Sequence, residues 1–405
     1  MIGLVMSGGG ARGAYEVGVL RFLLDDLPKR LGRPAPFRII TGTSVGAVHA
    51  CYVAGAQGEP DAGARLVEIW SNLDVGGVYE LHVADTLGLP LRLLGLFGSR
   101  TGPPDEVAPD RLSGLLDTKP LEQLVRRAIP WDRLRARVDS GEVDAVAIAA
   151  TEIASGKSVV WVDRRGGIIG AWAHDPFVVA RAATLTPLHA LASAAIPFLF
   201  PALRVDDNYY CDGGLRLNTP LAPALRLGAD RLLIVGLRHV PTPEEEATLS
   251  QSREENYRSL SYLTGKVLNA LLLDHIDYDV DRLRIINAIL DTGQRAYGPE
   301  FLTRINKTVE SLRGTAYRVV ENVYLQPSRD LGVLAAECLA HRPHATGLRQ
   351  RLAETVLRYA ARGISVEADL LSYLLFDSCY AKHLIDLGYA DATARSDELV
   401  ELLRE

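Results

Sequence analysis

Residues 37–53 read FRIITGTSVGAVHACYV and contain a G-x-S-x-G pentad that runs from Gly42 to Gly46. A largely apolar run precedes the pentad, and the small and apolar residues after it predict a helix. A strand, a sharp turn and a helix form the context that lifts a serine hydroxyl clear of the backbone. We therefore expect Ser44 to be a nucleophile, with Gly42 and Gly46 small because strand and helix approach each other closely. The pentad alone is weak evidence, so two further elements decide it.

A glycine-rich loop follows the first predicted strand. That strand is Ile2–Met6, and three glycines, Gly8, Gly9 and Gly10, separate it from a helix expected at about residues 13–31. Consecutive glycines at a helix N-terminus leave backbone N–H groups uncovered, and such groups bind a negatively charged oxygen. The loop is therefore a candidate oxyanion hole.

Two nucleotide-binding interpretations compete for the same loop. Gly8, Gly10 and Gly13 match the G-x-G-x-x-G of dinucleotide sites. Such a site needs an acidic residue at the end of the second strand, which here runs directly into the serine turn. A phosphate-binding P-loop needs Gly-Lys-Ser/Thr, and Arg12-Gly13-Ala14 does not supply it. We therefore favour the oxyanion hole, with a tight turn that binds no ligand as the remaining alternative.

The third element is an aspartate followed by two glycines, Asp212-Gly213-Gly214, within the stretch YYCDGG. Such a tripeptide is usually only a turn. Its surroundings are less ordinary. A segment of small residues, 192–195, leads into a proline-punctuated apolar run at 196–201, and another predicted helix opens downstream near Asn218. Asp212 is thus a candidate partner for Ser44.

Together these motifs resemble those of the patatin-like phospholipases, acyl hydrolases that use a Ser-Asp dyad. The family's G-G-G-x-R-G loop stands at residues 8–13, its G-x-S-x-G pentad at 42–46 and its D-G-A/G motif at 212–214. Residues 150–152 and 192–201 are also similar to family segments, and the resemblance covers roughly residues 1–240 in the family's order and spacing. It implies an α/β fold, a three-layer α/β/α sandwich with a mostly parallel central sheet and a C-terminal helical extension.

The resemblance also implies roles for the site residues. Ser44 is the nucleophile, Asp212 the base, and the backbone at Gly8, Gly9, Gly10 and Val45 the oxyanion hole. These are the groups that acyl hydrolysis needs: a nucleophile, a base within hydrogen-bond reach and donors for the developing oxyanion. No metal or other cofactor is implied. The supporting motif positions are Arg12, Gly13, Gly42, Gly46, Gly213 and Gly214.

Two points about this site stay open at the level of sequence. Arg12 either holds the glycine loop or meets a lipid phosphate. A free aspartate has a pKa of about 3.9, well below the range in which a general base works best near neutral pH. Partial burial of Asp212 beside Tyr209 and Tyr210 is expected to raise that pKa.

The main alternative is a Ser-Asp-His triad on an ordinary α/β-hydrolase sheet. The chain order Ser44, Asp212, His239 fits it, and His239 follows a predicted strand. Only one strand and one helix precede the pentad, however, whereas the serine turn of that fold follows several strands. His49 is expected to face away from Ser44 as a packing residue. An acyltransferase and a catalytically inactive binding protein on the same fold are further alternatives.

Composition narrows the class of protein. The 405 residues suffice for a large core, and contents of 48% hydrophobic and 23% charged residues are typical of a globular protein. The net charge of −6 supplies no basic field for nucleic acid. We expect a phospholipid or other fatty-acyl ester as the substrate, a cytoplasmic location without a signal peptide or membrane span, and at most peripheral contact with membranes or micelles.

Four cysteines, Cys51, Cys211, Cys338 and Cys379, lie far apart in the sequence. Their spacing shows neither a metal-binding pattern nor a pairing pattern. We therefore expect reduced, mostly buried thiols and no metal site.

A polar hinge at residues 241–246 separates a catalytic domain, residues 1–240, from a mainly helical region, residues 241–405. The helical region is a candidate cap, an effector module, a surface for homo-oligomer formation, or simply a completion of the fold. One predicted strand, at 318–325, is expected to return to the main sheet. The segment at 87–97 is apolar and broken by glycine and proline, which suits a mobile lid or an interfacial contact, with packing against the core as the alternative. Helices are predicted near 256–290, 300–312, 331–339, 348–362, 366–373 and 397–403.

Overall fold

Nine strands of the described residues form one sheet with a parallel centre. The structure is a computed structural model that describes residues 1–79, 111, 114, 116–169, 172, 177–247, 275–341 and 369–404. The strands are β1 (Ile2–Met6), β2 (Ile39–Thr43), β3 (Ala145–Glu152), β4 (Ser158–Arg164), β5 (Val178–Ala182), β6 (Leu203–Val205), β7 (Asn208–Asp212), β8 (Arg231–Val235) and β9 (Glu321–Leu325).

Seven strands follow the order β5-β4-β3-β2-β1-β8-β9, and β6 joins through β7, which pairs with β3. The pairs β1–β2, β1–β8, β2–β3, β4–β5 and β8–β9 are parallel. The pairs β3–β4, β3–β7 and β6–β7 are antiparallel. The prediction of a mostly parallel central sheet is therefore confirmed.

Successive side chains of the central strands enter two separate cores, because alternate residues of a strand point to opposite faces. In β1, Leu4 and Met6 lie in one core and Val5 in the other. In β8, Leu233 and Ile234 divide in the same way. Helices close both cores, so the sheet is the middle of three layers, as predicted.

The helices fill the outer layers and connect the parallel strands. The predicted helix at 13–31 consists of two α-helices joined by a π-helical turn at Phe22–Asp26. The α-helices are α1 (Ala14–Arg21), α2 (Leu27–Leu31), α3 (Val45–Ala56), α4 (Ala62–Ser71), α5 (Val75–Val78), α6 (Lys119–Ala128), α7 (Trp131–Ser140), α8 (Pro187–Ser193), α9 (Gly214–Leu217), α10 (Leu221–Leu227), α11 (His275–Tyr297), α12 (Glu300–Arg313), α13 (Leu331–His341), α14 (Asp369–Leu374), α15 (Ser378–Ala394) and α16 (Ser396–Leu403).

Helix α15 is the largest element that sequence reasoning missed. It packs along α1 with the two backbones in direct contact. A Cβ added to Gly18 would lie 2.0 Å from the carbonyl oxygen of Ile385, and one added to Gly388 would lie 2.1 Å from that of Tyr15. The buried positions of α15 recur at helical spacing, but three of them hold the small residues Ala381, Gly388 and Ala392, so the apolar signal of this helix is weak.

The strand expected at 318–325 is β9, which lies parallel to β8 at the edge of the sheet. Three other predictions, the lid at 87–97, the helix at 348–362 and the first part of the helix at 256–290, lie outside the described residues. In the part of the chain that the structure describes, no helix has the length and apolar character needed to cross a bilayer.

Candidate active site

The G-x-S-x-G pentad forms a strained turn between β2 and α3. Ser44 has φ 56° and ψ −124°, a conformation that side-chain-bearing residues rarely adopt and that is found at functional sites. A Cβ on Gly42 would lie 2.1 Å from the carbonyl oxygen of Gly46, and a Cβ on Gly46 would lie 2.6 Å from that of Met6. The close approach of strand and helix that the glycines predicted is therefore present.

A second serine, Ser193 at the end of α8, fastens this turn. Its hydroxyl oxygen accepts a hydrogen bond of 2.9 Å from the backbone N–H of Ser44 and donates one of 2.6 Å to the carbonyl oxygen of Ala149 in β3. Both bonds are buried. Sequence reasoning gave Ser193 no role, although it lies in the family-like stretch at 192–201. The residue before the nucleophile, Thr43, donates from its hydroxyl to the carbonyl of Leu217 at 2.7 Å.

Asp212 stands at the end of β7 and faces Ser44. The Ser44 hydroxyl donates to Asp212 Oδ2 at 2.5 Å, and the other carboxylate oxygen accepts the Gly214 N–H at 2.7 Å. The hydroxyl of Thr151 in β3 donates to the Asp212 carbonyl at 3.0 Å. Gly213 has no room for a side chain, since a Cβ would lie 2.3 Å from the Ala149 carbonyl oxygen. The hydrogen bonds from Gly214 and Thr151 thus hold Asp212 in place beside Ser44.

Burial raises the pKa of Asp212 to about 6, against the lowering effect of its hydrogen bonds from Ser44 and Gly214. The direction is the one expected from its surroundings. A carboxylate with this pKa is ionised near neutral pH, yet it binds a proton far more readily than an exposed aspartate.

The glycine loop lies between β1 and α1, and its three glycines differ. Gly10 has φ +57°, and a Cβ there would lie 2.4 Å from the Tyr373 carbonyl oxygen. Gly9 has φ 173°, so Gly10 is the one of the three with a left-handed φ, which favours glycine. Within the described residues, the backbone N–H groups of Gly9, Gly10 and Val45 meet no hydrogen-bond acceptor.

The contacts of Gly8 differ from those expected of an oxyanion-hole residue. Its N–H donates to the Asn218 carbonyl at 3.1 Å, and its own carbonyl accepts from Asn218 Nδ2 at 3.2 Å. The N–H of Gly8 is therefore unavailable to a substrate. Gly8 instead fixes the loop against the chain that follows Asp212, with no space for a Cβ beside Ser44.

Arg12 holds the loop. Its side chain is buried, its Nε donates to the Ser372 hydroxyl at 2.7 Å, and its guanidinium lies 4.4 Å from the centre of the Tyr373 ring. Both partners belong to α14. The sequence left two roles open for Arg12, and these contacts show that its side chain holds the glycine loop against α14. Gly13 lies beside the nucleophile turn, where a Cβ would meet Val45 at 2.5 Å.

His49 is not merely a packing residue. It is fully buried, its Nδ1 lies 2.7 Å from Glu16 Oε2, and its Nε2 has no hydrogen-bond partner among the described residues. Glu16 also accepts the Ser7 N–H at 2.9 Å, so its carboxylate joins the start of the glycine loop to α3. Burial raises the pKa of Glu16, and its hydrogen bond with His49 opposes that shift.

The structure does not assemble the alternative triad. His239 Nδ1 lies 3.0 Å from the Pro327 carbonyl oxygen, and its Nε2 lies 3.2 Å from Glu245 Oε2. Both ring nitrogens thus point to groups other than Asp212, whose side chain is bonded to Ser44 and Gly214. Ser44, Asp212 and His239 follow one another in the order of a triad, but the structure does not bring His239 into contact with Asp212.

Ser44 lines a cavity of about 730 Å³, its opening to solvent included. The walls are almost entirely apolar and include Trp70, Phe200 and Phe376, while Gly10 and Ser44 bring the glycine loop and the nucleophile turn to the same space. This lining is that of a site that takes an apolar ligand.

Comparison with known proteins places these features in a family. The family model described as patatin-like phospholipase matches residues 4–225, more than half of the chain. No curated protein sequence matches the chain.

Three solved structures are similar. VipD from Legionella pneumophila is 13% identical with a TM-score of 0.29, over 95% of this chain and 66% of that one. Human GIVD cytosolic phospholipase A2, in complex with methyl gamma-linolenyl fluorophosphonate, is 12% identical with a TM-score of 0.38, over 100% and 58%. The type III effector protein ExoU is 17% identical with a TM-score of 0.27, over 89% and 69%.

These likenesses are distant, and this chain spans roughly three fifths to two thirds of the length of the three proteins. The family model, by contrast, matches from within β1 to within α10 and includes both glycine motifs, the serine turn and Asp212. On that match, the chain belongs to the patatin-like phospholipase family.

Proposed function

We propose that this protein is a lipid acyl hydrolase that cleaves carboxylic esters through an acyl-enzyme on Ser44. The observation that carries the proposal is the buried 2.5 Å hydrogen bond from the Ser44 hydroxyl to Asp212, beside an apolar cavity. A strained turn holds the nucleophile, and no other titratable group is needed to activate it. Phospholipase A, lysophospholipase and general esterase activity all fit this chemistry.

In the first step Ser44 Oγ attacks the ester carbonyl carbon while Asp212 Oδ2 takes the hydroxyl proton. The carbonyl π-bond opens, and its electron pair forms an oxyanion. The N–H groups of Gly9, Gly10 and Val45 are the proposed donors to that oxygen, and a preorganised donor of this kind contributes roughly 10²–10³-fold to the rate. Gly8 is left out because Asn218 already binds its N–H.

In the second step the carbonyl re-forms and the bond to the alcohol breaks. The proton on Asp212 passes to the departing oxygen, which leaves Ser44 acylated. Water then attacks the acyl carbonyl carbon while Asp212 takes a proton from the water. The bond between the acyl carbon and Ser44 Oγ breaks, the proton on Asp212 returns to Ser44 Oγ, and the fatty acid departs. The raised pKa of Asp212 suits both directions of proton transfer, since a base near neutral pKa can both accept and return a proton.

The cavity supports a fatty-acyl substrate. Aromatic and aliphatic side chains form its walls, and the chain of an acyl group would gain free energy by leaving water there. A covalent label tests the proposal directly. A fluorophosphonate should modify Ser44 and no other serine, and the lipid products of the purified protein should include free fatty acid. Transfer of the acyl group to another alcohol would instead identify an acyltransferase, and absence of both labelling and turnover would identify an inactive binding protein.

Phe198 supports contact with aggregated lipid. It lies between the cavity-lining residues Ile196 and Phe200, is 80% exposed and has φ +67°, so its ring is held in water at the cost of backbone strain. We predict that Phe198→Asp lowers hydrolysis of phospholipid vesicles about tenfold or more while a short soluble ester is cleaved normally. Phe177→Asp, at another exposed aromatic residue, is the matched control. Equal loss on both substrates would place the effect in folding rather than in membrane contact.

A further inference from the structure

Three side chains that commonly bind metals meet on the C-terminal helices, away from the Ser44 site. Cys379 and His383 are four residues apart on α15 and therefore lie on the same side of that helix. Cys338 comes from α13, which packs against α15. The Cys-x-x-x-His spacing was present in the sequence, but Cys338 is separated from Cys379 by 41 residues, so spacing alone did not unite the group.

The distances suit a small, soft divalent cation. His383 Nδ1 lies 3.6 Å from the Cys338 sulfur and 3.8 Å from the Cys379 sulfur. Tetrahedral zinc, with Zn–S of about 2.3 Å and Zn–N of about 2.0 Å, places sulfur and nitrogen ligands about 3.6 Å apart. Two thiolates and an imidazole are also the ligand types that zinc prefers.

The two sulfurs are 2.7 Å apart. That distance is longer than the disulfide bond of about 2.05 Å and shorter than the separation of about 3.8 Å that tetrahedral zinc gives two thiolates. A cation between them would move the sulfurs about 1 Å apart, and the His383 ring would give up its 2.8 Å contact with the Cys379 carbonyl.

Access and charge favour a cation here. Cys338 is buried, whereas Cys379 and His383 face solvent, so an ion can enter and a water can complete its coordination. The carboxylate of Asp377 accepts the Cys379 N–H at 2.9 Å and so lies beside the site, where its negative charge attracts a cation.

We propose that Cys338, Cys379 and His383 bind one Zn²⁺, with a water molecule as the fourth ligand. The site departs from the expectation of four reduced thiols without a metal. Its role is structural, because it joins α13 to the N-terminal end of α15. Helix α14 lies between these two helices in the chain and carries Ser372 and Tyr373, which contact Arg12 and Gly10 of the glycine loop. The zinc thus joins the two helices, α13 and α15, that flank α14, and α14 in turn contacts the glycine loop.

Cobalt substitution tests the site with a readout independent of esterase activity. Reduced, metal-free protein should bind one equivalent of Co²⁺, with the d–d bands of a tetrahedral complex and a thiolate-to-cobalt charge-transfer band, and Zn²⁺ should displace it. Both thiols lose their protons on binding, so the affinity should increase with pH. Zn²⁺ should also raise the melting temperature of the full chain.

Cys379→Ser and His383→Ala should each weaken binding by at least about tenfold, since losing even an outer partner of a metal ligand costs that much. Both residues are exposed, so these variants should fold. Cys51→Ala, at a buried thiol elsewhere, should bind cobalt normally. The proposal is overturned if wild-type protein gives no charge-transfer band with cobalt, or if His383→Ala binds cobalt as tightly as wild type. It is also overturned by a Cys338–Cys379 disulfide, detected by mass spectrometry in protein purified without reductant, that forms again after reduction although equimolar Zn²⁺ is present.

Discussion

Two turns of the chain, each between a strand and a helix, meet at the candidate active site, and they are held in different ways. The nucleophile turn, residues 42–46, is fastened by Ser193, by the backbone of β3 and by the Leu217 carbonyl. The glycine loop, residues 8–13, is fastened partly from the far end of the chain, through the bond from Arg12 to Ser372 and the contact of Gly10 with Tyr373.

Because of this difference, the residues proposed to carry out the reaction and part of the support of the glycine loop lie in different parts of the chain. Every hydrogen bond that positions Ser44 and Asp212 comes from the part of the chain that the family model covers. The glycine loop also depends on α14, which lies outside that part. Changes at the nucleophile turn should therefore remove the reaction, whereas changes at α14 should only loosen the loop.

The largest effect is expected at the dyad. Ser44→Ala and Asp212→Asn should each lower kcat by at least about 10³-fold without unfolding the chain, because each removes a group that takes part in every turnover. The double variant should be no worse than either single variant, since both residues act in one unit. Hydrolysis of a p-nitrophenyl ester and a circular dichroism spectrum measure both points. His239→Ala is the control, and a loss as large as that of Ser44→Ala would restore the triad.

The next effect is expected in the glycine loop. Gly10→Ala should lower kcat by about 10²–10³-fold, because a Cβ fits neither the φ of +57° nor the 2.4 Å gap to Tyr373. Gly9→Ala is the matched variant. Its φ of 173° lies outside the left-handed region, and its Cβ would meet the end of the Leu237 side chain at 2.6 Å instead of a backbone atom, so less than about tenfold should be lost. Equal losses at the two positions would contradict this account of the loop.

The pH dependence of kcat/KM should distinguish the nucleophile turn from the glycine loop, with a smaller effect than the substitutions above. Asp212 must be ionised to accept the Ser44 proton, so kcat/KM should rise with pH to a plateau above its pKa of about 6 and stand about tenfold lower at pH 5. Gly10→Ala should lower the plateau without moving the midpoint, since the loop's donors do not titrate. A wild-type profile that is flat between pH 5 and 8 would exclude Asp212 as the base with this pKa.

The smallest effect is expected at the support from α14. Ser372→Ala removes the acceptor of the buried Arg12 Nε–H and should lower the free energy of unfolding by about 1–3 kcal/mol. The same variant should lower kcat only a few-fold and leave the midpoint of the pH profile in place. Ser311→Ala, an exposed serine on α12, is the control for chemical denaturation. Full activity and stability in Ser372→Ala would mean that the glycine loop supports itself.

The local sequence pattern was sufficient to predict the structure wherever a motif and its flanking strand and helix lie together in the sequence. The strand, turn and helix around Ser44 form within about twenty residues, so the spacing of glycines and apolar residues carries the information. The same holds for β1 with the glycine loop and for Asp212 with its two glycines. The contacts of the glycine loop were only partly predicted, because the hydrogen bonds between Gly8 and Asn218 join residues 210 positions apart.

What the sequence by itself determined is the parallel sheet, the two turns and the pairing of a serine with an aspartate, since each follows from short-range periodicity and turn chemistry. Tertiary structure alone decided that Ser193 fastens the nucleophile turn, that α15 lies against α1 and that Cys338 meets Cys379 and His383. These contacts join residues 41 to 373 positions apart. No local spacing encodes them, because they form only when packing brings distant elements to the same place.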